Sequence, residues 1–357
     1  MKKIFLIILV LPFFVFAQIP AGYYNDAEGK TSATLKTALF NIISDHEPRD
    51  YNDLWTDFRS TDARADGKVW DIYSNCNFTF GEDQDKGSQG NAECQKYNRE
   101  HSVPNSWFGG ERYTPMYSDL FHLYPTDKYV NAERSNYPYG ETNSLTAKTY
   151  SNGSKKGSGT PASGYTGTIF EPTNEFKGDL ARTYFYMATR YLNINFAQRD
   201  GGAIMFTYNA NICDLSEYSN ELLLKWHRQD PVSEKEINRN DSIYRIQENR
   251  NPFIDYPELA EYIWGNKMGG VWYSVTQIPE VKFQFDISVR QNSLYVNSDI
   301  SDLTYTIYNF TGQMLQSGKL SENKEISLNG LLTGVYIIKL NSGNIQYVDK
   351  FFVNANQ

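Results

Sequence analysis

Basic residues, histidine and cysteine are all scarce in this sequence, and only one long apolar run is present. The 357 residues include 34 lysines and arginines against 42 aspartates and glutamates, with four histidines and three cysteines. The net charge of −8 argues against a broad basic patch for nucleic acid, although it allows a local basic groove. No HExxH stretch occurs, and neither 81–92 nor 151–168 fits a phosphate-cradling glycine motif. The common zinc-protease and nucleotide-binding signatures are therefore excluded.

The single long apolar run lies at the start of the chain. Two lysines precede residues 4–16, which are all apolar, and Val15 and Ala17 have the spacing of a cleavage site. The run is shorter than the roughly 20 residues that a membrane-spanning helix needs. It predicts a signal peptide over residues 1–17, removed after Ala17, with an uncleaved anchor as the alternative. We expect an exported monomer with no integral membrane segment after cleavage.

Apolar periodicity divides the rest of the chain into a helical part and a strand-rich part. Helical spacing predicts helices at about 32–45, 178–193, 217–229, 233–249 and 257–264. Residues 67–80 favour β structure, and the composition of 151–168 favours a loop. From about 283 apolar and polar residues alternate between turn-rich breaks, which predicts strands of a small β-sandwich. The sequence thus predicts an α+β fold with domains at 18–278 and 284–357, divided near 276–284.

Two of the three cysteines flank a polar, Gly-rich insert. Cys76 and Cys94 lie on either side of it, and in an oxidising, exported setting such a pair can close a loop. They are our candidate disulfide. Cys213 is left over, and we expect it to be a buried small apolar residue rather than a reactive thiol.

One stretch, YNREHSVPNSWF at 97–108, places a glutamate directly before a histidine. Glu100 and His101 end a predicted strand, and about thirty residues later a short helix, with Thr126 as its expected N-cap, presents Asn131. A carboxylate and an amide oxygen suit Mg²⁺, which prefers oxygen ligands and keeps several waters. A neutral imidazole can take a proton from an attacking water. These residue types suit phosphodiester hydrolysis, although an isolated Glu-His pair is more often structural.

Four long stretches follow one another in the first part of the chain: YNREHSVPNSWF, SDLFHLYPTDKYVNAERSNYPYGE, GDLARTYFYMATRY and LLLKWHRQDPVSEKEINRNDSIYRIQENRNPFIDYPE. Together they resemble the bacterial endonuclease I family, in consistent order over about residues 32–265. The resemblance implies a His-Me finger (ββα-metal) nuclease core with surrounding helices. It also implies a secreted enzyme that cuts DNA, with RNA as a further candidate, at low sequence specificity, leaving a phosphate on the 5′ side.

The resemblance also implies roles for individual residues. His101 would be the general base, and Glu100 and Asn131 would hold the metal, which we expect to be Mg²⁺ or another divalent cation such as Ca²⁺ or Mn²⁺. Arg112 is the nearest candidate for the arginine that contacts the scissile phosphate in some members, with a plain surface arginine as the alternative. His122 is expected to support the site, and Arg134 is expected to make internal hydrogen bonds.

The tail contains the stretches TYTIYNFTGQMLQSG, LNGLLTGVYIIKL and IQYVDKFFV. Over roughly 285–353 these stretches are similar to the type A C-terminal sorting domain of the type IX secretion system. It implies the type IX secretion machinery as a partner and a secreted or cell-surface location, reached through the periplasm. The alternative is a small β-module that binds a glycan or the body of the enzyme.

Two other functions remain open at this point. One is a catalytically inactive surface protein that binds nucleic acid or acts as an adhesin. The other is a metal-dependent phosphodiesterase that acts on a smaller ester. The Glu100, His101 and Asn131 set favours the nuclease over the first alternative.

Overall fold

The chain forms two compact units, Met1–Ser274 and Val275–Gln357. The computed structural model describes residues 19–87, 90–161, 164–198, 201–274, 286–298, 300, 302–321, 323–342 and 345–354. The predicted signal peptide and the predicted domain boundary at 276–284 lie outside these residues. Within the part of the chain that is described, no helix combines the length and the apolar character needed to cross a membrane.

The first unit is built mainly from helices around one aromatic-rich core. Its helices are α1 Ser32–Ile43, α2 Leu54–Thr61, α3 Lys128–Arg134, α4 Lys177–Arg190, α5 Gly202–Met205, α6 Glu217–Gln229, α7 Glu234–Gln247, α8 Pro252–Asp255 and α9 Leu259–Ile263. The five predicted helices are confirmed to within a few residues, and α2, α5 and α8 are additional short helices. Residues 177–189 of α4 are all buried, so this helix is the centre of the unit.

Side-chain caps explain where several of these helices begin. Ser216 accepts a hydrogen bond from Ser219 N at the start of α6. At the start of α7 Ser233 and Glu236 form a reciprocal capping box. Each cap satisfies backbone N–H groups that have no partner within the helix.

The described residues of the first unit also form three small antiparallel sheets. The strands are β1 Tyr97–His101, β2 Leu123–Asp127, β3 Lys148–Thr149, β4 Lys155–Ser158, β5 Thr168–Glu171, β6 Phe206–Asn209 and β7 Ile212–Leu215. β1 pairs with β2, β4 lies between β3 and β5, and β6 pairs with β7. The strand β4 lies inside 151–168, so the prediction of a loop there was wrong in part. Its polar composition gave no sign of the partner strand that completes its hydrogen bonds.

The structure corrects the expectation of β structure at 67–80. No strand forms in this described segment, whose backbone is instead held by single hydrogen bonds, including Val69 N to Phe78 O at 3.0 Å and Trp70 N to Asp62 O at 2.8 Å. Its aromatic side chains, including Tyr73 and Phe78, are buried in the core. Aromatic enrichment here reflects burial of individual rings rather than a pleated strand.

Buried arginine–carboxylate pairs connect distant parts of the first unit. Arg182 in α4 pairs with Glu236 in α7, and Arg239 in α7 pairs with Asp62 just after α2 at 2.9 Å. All four side chains are almost fully buried. Because a buried charge without its partner is strongly destabilising, these pairs fix which helices lie side by side.

The start of α3 differs by one residue from the prediction. Asp127, not Thr126, is the N-cap, and its carboxylate accepts from Tyr129 N at 2.8 Å and Val130 N at 3.1 Å. Thr126 is the fourth residue of β2, and its buried hydroxyl has no hydrogen-bond partner in the described structure. Strand pairing therefore continues for one residue longer than the cap pattern indicates.

The candidate disulfide between Cys76 and Cys94 is present, and it reaches this same cap. The two Cα atoms are 5.1 Å apart, and Cys94 N donates to Asp127 Oδ2 at 2.7 Å. The third cysteine, Cys213, is buried and free as expected, and burial raises the pKa of its thiol to about 12. The disulfide thus holds the Gly-rich insert against the beginning of α3.

In its described residues the second unit contains strands and no helix, as the alternation predicts. They are β8 Asp286–Arg290, β9 Ser293–Asn297, β10 Thr304–Asn309, β11 Met314–Lys319, β12 Glu325–Ser327, β13 Gly334–Ser342 and β14 Ile345–Val353. One sheet has the order β11-β10-β13-β14 and the other β12-β9-β8. Inward side chains of both sheets, including Leu294, Ile307 and Ile338, form one apolar cluster. Gly312 has a φ of +83° in the turn between β10 and β11, a conformation that favours glycine.

The cap on α3 gives a test of this local structure. We expect Asp127→Ala to lower the free energy of unfolding by about 1–2 kcal/mol, because three backbone N–H groups lose their acceptor. Thr126→Val is the matched control, and it should be neutral or stabilising because the replaced hydroxyl is buried without a partner. Chemical denaturation measures both variants. Equal destabilisation by the two substitutions would contradict the assignment of the cap.

Candidate active site

The pair β1–β2 and the helix α3 bring the predicted site residues to one cavity. In the antiparallel register Glu100 lies opposite Tyr124 and His101 opposite Leu123, and α3 follows directly after β2. An open cavity of about 430 Å³ lies at this place. It is lined by Tyr51, Asn98, Arg99, Glu100, His101, Pro104, Asn105, Ser106, Asn131, Ser135 and Asn136. Glu100, His101 and Asn131 therefore share one cavity.

Glu100 is a buried carboxylate held by two donors. Its Oε1 accepts from Tyr73 Oη at 2.8 Å and from Arg134 Nη1 at 2.8 Å. The side chain is 3% exposed. Burial raises the pKa of Glu100 to about 7, and the Arg134 guanidinium opposes this rise. Both of these donors engage the same oxygen, Oε1.

His101 is oriented by a backbone carbonyl and by aromatic rings. Its Nε2 lies 2.9 Å from Tyr117 O. A carbonyl only accepts, so the hydrogen-bond network places the proton on Nε2 and leaves Nδ1 with a free lone pair in the neutral ring. The Tyr51 ring stacks on the imidazole at 5.8 Å and the Tyr117 ring packs edge-on at 4.7 Å. Burial, with a smaller contribution from His122, lowers the pKa of His101 well below 6.5.

Asn131 lies on α3 and is fixed by a neighbour on β1. Its Nδ2 donates to Asn98 Oδ1 at 2.9 Å. Using the amide nitrogen in this bond leaves the amide oxygen as the free acceptor. The site thus contains a carboxylate, an imidazole nitrogen and an amide oxygen, which are the three functional groups that the sequence indicates.

Arg112 is not among the residues that line this cavity. It is exposed and lines a neighbouring cavity of about 380 Å³ together with Tyr51, Tyr113 and others. Its guanidinium lies 5.3 Å from the centre of the Tyr51 ring. Since Tyr51 lines both cavities, it separates Arg112 from the other three predicted residues.

Arg99 is the cation that lines the cavity, and the sequence interpretation missed it. It is half-buried, and its guanidinium lies over the Tyr51 ring at 3.6 Å and the Trp55 ring at 4.3 Å. Burial lowers the pKa of Arg99, and nearby Arg112 contributes to this shift. The signal for Arg99 in the sequence was its position directly before the Glu-His pair.

The remaining histidines and Arg134 have internal partners. His122 is fully buried, its Nε2 lies 2.7 Å from Met116 O, and its ring centre is 5.4 Å from that of His101. Arg134 is fully buried and donates to Glu100, as the expectation of internal bonding states. His227 donates from Nε2 to Pro257 O at 3.0 Å. Among the described histidines, His101 is the one that lines the cavity.

A second group of potential metal ligands occurs in the described residues, at Cys76, Cys94 and Asp127. The two sulfur atoms are joined in the disulfide, and the Asp127 carboxylate accepts three backbone N–H groups. Thiolates, not disulfides, bind metal ions. This group is therefore a structural connection and not a metal site.

Both parts of the chain match known protein families. Residues 31–258 match the family described as Endonuclease I, and residues 290–354 match the secretion system C-terminal sorting domain. The extracellular ribonuclease of Bacillus subtilis (strain 168) is 35% identical over 255 residues, which cover 68% of this chain and 78% of that protein. The extracellular ribonuclease of Bacillus amyloliquefaciens is 34% identical over 251 residues, with the same shares. Endonuclease-1 of Buchnera aphidicola subsp. Acyrthosiphon pisum is 30% identical over 144 residues, covering 40% of this chain and 47% of that protein.

These matches, together with the fold, define the class of protein. It is a secreted or cell-surface nuclease, an enzyme that hydrolyses phosphodiester bonds, with a C-terminal sorting domain. The chain belongs to the endonuclease I family.

The hydrogen bond to Tyr117 gives a prediction for the His101 ring. In ¹⁵N-labelled protein without divalent cations, we expect NMR at pH 6 to show a neutral imidazole protonated at Nε2, because burial disfavours the charged form. The neutral ring stabilises the fold fully above pH 6.5, and this contribution declines as the pH falls, since only the unfolded chain is readily protonated.

His227 serves as the internal reference for this measurement. Its pKa is lowered to about 4, first by burial, so it should also be neutral at pH 6 and should differ from histidines of the denatured protein. A doubly protonated His101 at pH 6, or a proton on its Nδ1, would contradict the geometry.

Proposed function

We propose that the protein is a divalent-cation-dependent endonuclease that cuts DNA, and also RNA, with low sequence specificity. The observation that carries this proposal is the shared cavity of Glu100, His101 and Asn131. The name of the endonuclease-1 relative supports cleavage within a nucleic acid chain, and the names of the extracellular ribonucleases of Bacillus support RNA as a substrate. DNA is proposed from the resemblance to the endonuclease I family.

His101 is the general base in this proposal. Its free Nδ1 takes a proton from a water molecule while the water oxygen bonds to phosphorus. The bond from phosphorus to the 3′ oxygen breaks, and that oxygen takes a proton from solvent. The products carry a 5′ phosphate and a 3′ hydroxyl. The Tyr117 carbonyl holds the proton on Nε2, so the base keeps the same tautomer before each turnover.

The donor set of the cavity suits a hard divalent cation. Glu100 offers a carboxylate oxygen and Asn131 an amide oxygen, and both line the cavity. Oxygen ligands of this kind fit Mg²⁺, Ca²⁺ or Mn²⁺. When bound, the ion would stabilise negative charge on the phosphate and on the leaving oxygen. Glu100 and Asn131 are the residues that would hold it.

The arrangement of β1, β2 and α3 supports a His-Me finger (ββα-metal) core. Two antiparallel strands are followed directly by a helix, the base lies at the end of β1, and one metal ligand lies on the helix. In this arrangement β1 and α3 are adjacent in space, although Asn131 lies about thirty residues after Glu100 and His101 in the sequence.

Low sequence specificity follows from what lines the cavity. The lining consists mainly of short polar side chains and one cation around an opening of about 430 Å³. Contacts with phosphate and sugar carry no base information. We therefore propose that the site recognises the backbone of the substrate.

We also propose how the rest of the chain serves export. In this proposal residues 1–17 are a signal peptide, residues 18–278 are the nuclease domain, and residues 284–357 are a β-domain that engages the type IX secretion machinery. The match of residues 290–354 to the sorting domain supports the last assignment.

A nicking assay on supercoiled plasmid tests the proposed base. We expect His101→Ala to lower the cleavage rate by about 10²–10⁴-fold, the usual contribution of a positioned general base. Wild-type protein with Mg²⁺, with and without a chelator, is the reference. Thermal unfolding checks that the variant is folded.

The same assay separates the alternative functions. A gel shift without nicking would indicate an inactive binding protein. Cleavage of a small diester such as bis(p-nitrophenyl) phosphate without cleavage of plasmid would indicate a phosphodiesterase on smaller esters. Native cleavage by the His101→Ala variant would refute the assignment of the base.

The amide ligand is tested by titration with the cation. For Asn131→Ala we expect the Mg²⁺ concentration that gives half-maximal rate to rise by about 10–100-fold or more, because one ligand is lost. Asn136→Ala, which changes an asparagine lining the same cavity, is the matched control and should leave this concentration unchanged. An unchanged Mg²⁺ requirement for Asn131→Ala would remove this residue from the proposed ligand set.

A further inference from the structure

We propose that Arg99 is a further substrate-binding residue, whose guanidinium contacts the nonbridging oxygens of the phosphodiester that is cut. This inference rests on the proposed function, and it names the group that binds the substrate anion in the same cavity. Arg112 is not assigned this contact, because it lines the neighbouring cavity.

The first argument is the position of the charge. Arg99 lines the cavity with Glu100, His101 and Asn131, and no other lysine or arginine lines it in the described structure. A phosphodiester that enters this cavity brings one negative charge past a buried carboxylate. A cation at the same opening offsets that repulsion and can bind two oxygens of the phosphate with its planar fork.

The second argument is that Arg99 has no acidic partner. In the described residues no carboxylate lies within ion-pair distance of its guanidinium, whereas the fully buried Arg134 and Arg182 each pair with a glutamate. The positive charge of Arg99 is therefore not neutralised within the described structure. An anion supplied by the substrate would neutralise it.

The third argument is how Arg99 is held. Its guanidinium lies over the rings of Tyr51 and Trp55, and the one hydrogen bond that the described structure gives it runs from Nη1 to Tyr51 O. A guanidinium has five N–H groups, so most of them remain available. Stacking fixes the plane of the group without using these donors, which is a suitable arrangement for binding an oxyanion.

A second cation beside the same ring supports an anion site. The guanidinium of Arg112 lies 5.3 Å from the centre of the Tyr51 ring, and that of Arg99 lies 3.6 Å from it. Two like charges near one ring repel each other unless an anion is present. In a chain with a net charge of −8, this local cationic spot favours a polyanion at the opening of the cavity.

The experiment uses an oligonucleotide with a single charged linkage. All linkages but one are neutral methylphosphonates, so the only anionic phosphate that can be cut is also the only one that an arginine can bind by charge. We expect Arg99→Gln to lower kcat/KM on this substrate on the order of 10²-fold, as for removal of one preorganised donor to developing negative charge. Arg99→Lys should fall between Arg99→Gln and wild type, because it keeps the charge but loses the fork.

Arg112→Gln is the matched control, since it removes the same charge from the other side of Tyr51. It should cut the single-charge substrate like wild type and should be slower only on fully charged DNA. If Arg112→Gln is impaired on the single-charge substrate and Arg99→Gln is not, the inference is wrong and Arg112 binds the scissile phosphate.

Binding without cleavage separates a substrate contact from a purely structural role. With a chelator present, fluorescence anisotropy compares the single-charge oligonucleotide with a fully neutral one. Wild type should prefer the charged form, and Arg99→Gln should lose this preference even if its thermal unfolding is unchanged or mildly shifted. A variant that retains both the preference and the wild-type kcat/KM would overturn the inference.

Failure of the proposed function has a different signature. If wild-type protein with Mg²⁺ does not cut DNA or RNA, or if His101→Ala cuts as fast as wild type, the proposed nuclease mechanism fails. If wild type cuts, His101→Ala does not, and Arg99→Gln behaves as wild type, only the role of Arg99 fails.

Discussion

The contact on which the site depends is the one between Arg134, the last residue of α3, and the end of β1. Its guanidinium donates to Glu100 Oε1 at 2.8 Å, to His101 O at 3.0 Å and to Ser102 O at 2.7 Å. It also lies 4.7 Å from the centre of the Tyr139 ring and is fully buried. One side chain thus fixes the helix that carries Asn131 to the strand that carries Glu100 and His101. Because these donors and charges are desolvated, separating the two elements would leave a buried charge without its partner.

A second set of contacts sets the orientation of the imidazole. The short turn Pro115–Ser118 presents Met116 O to His122 and Tyr117 O to His101, so two neighbouring rings are anchored by consecutive carbonyls. Asp119, which is 1% exposed, holds the segment that directly follows Pro115–Ser118. Its carboxylate accepts from Phe121 N, Tyr186 Oη, Tyr191 Oη and Gln247 Nε2. The base therefore takes its position from the helical body, and not from the strand alone.

The surroundings of the cavity explain why an acidic protein can act on a polyanion. The cationic groups are few and local, and aromatic rings, not carboxylates, hold Arg99 beside the site. A charge held by the faces of Tyr51 and Trp55 stays available to a ligand, whereas a charge in a buried ion pair is neutralised within the protein. The net charge of the whole chain says little about the field at one cavity.

The sequence by itself determined which functional groups form the candidate site and in what order the main helices and strands occur. Apolar periodicity located the main helices of the first unit and the strands of the second, and the EH pair with the later asparagine identified the three groups that meet at the cavity. The spacing of Cys76 and Cys94 around a polar insert identified the disulfide. Each of these features depends on residue type, periodicity or spacing along the chain, so it can be read without knowledge of the fold.

Tertiary structure decided what depends on partners far away in the chain. It made Asp127 the cap instead of Thr126, because strand pairing with β1 runs one residue further, and it formed β4 in a polar stretch by supplying β5 as a partner. It also placed Arg112 beside a different cavity and Arg99 within this one, since the position of Tyr51 relative to β1 is set by packing across the core. A sequence shows which side chains have a charge or a lone pair, but only the folded chain determines which of them share a space, because that depends on long-range burial and hydrogen bonding.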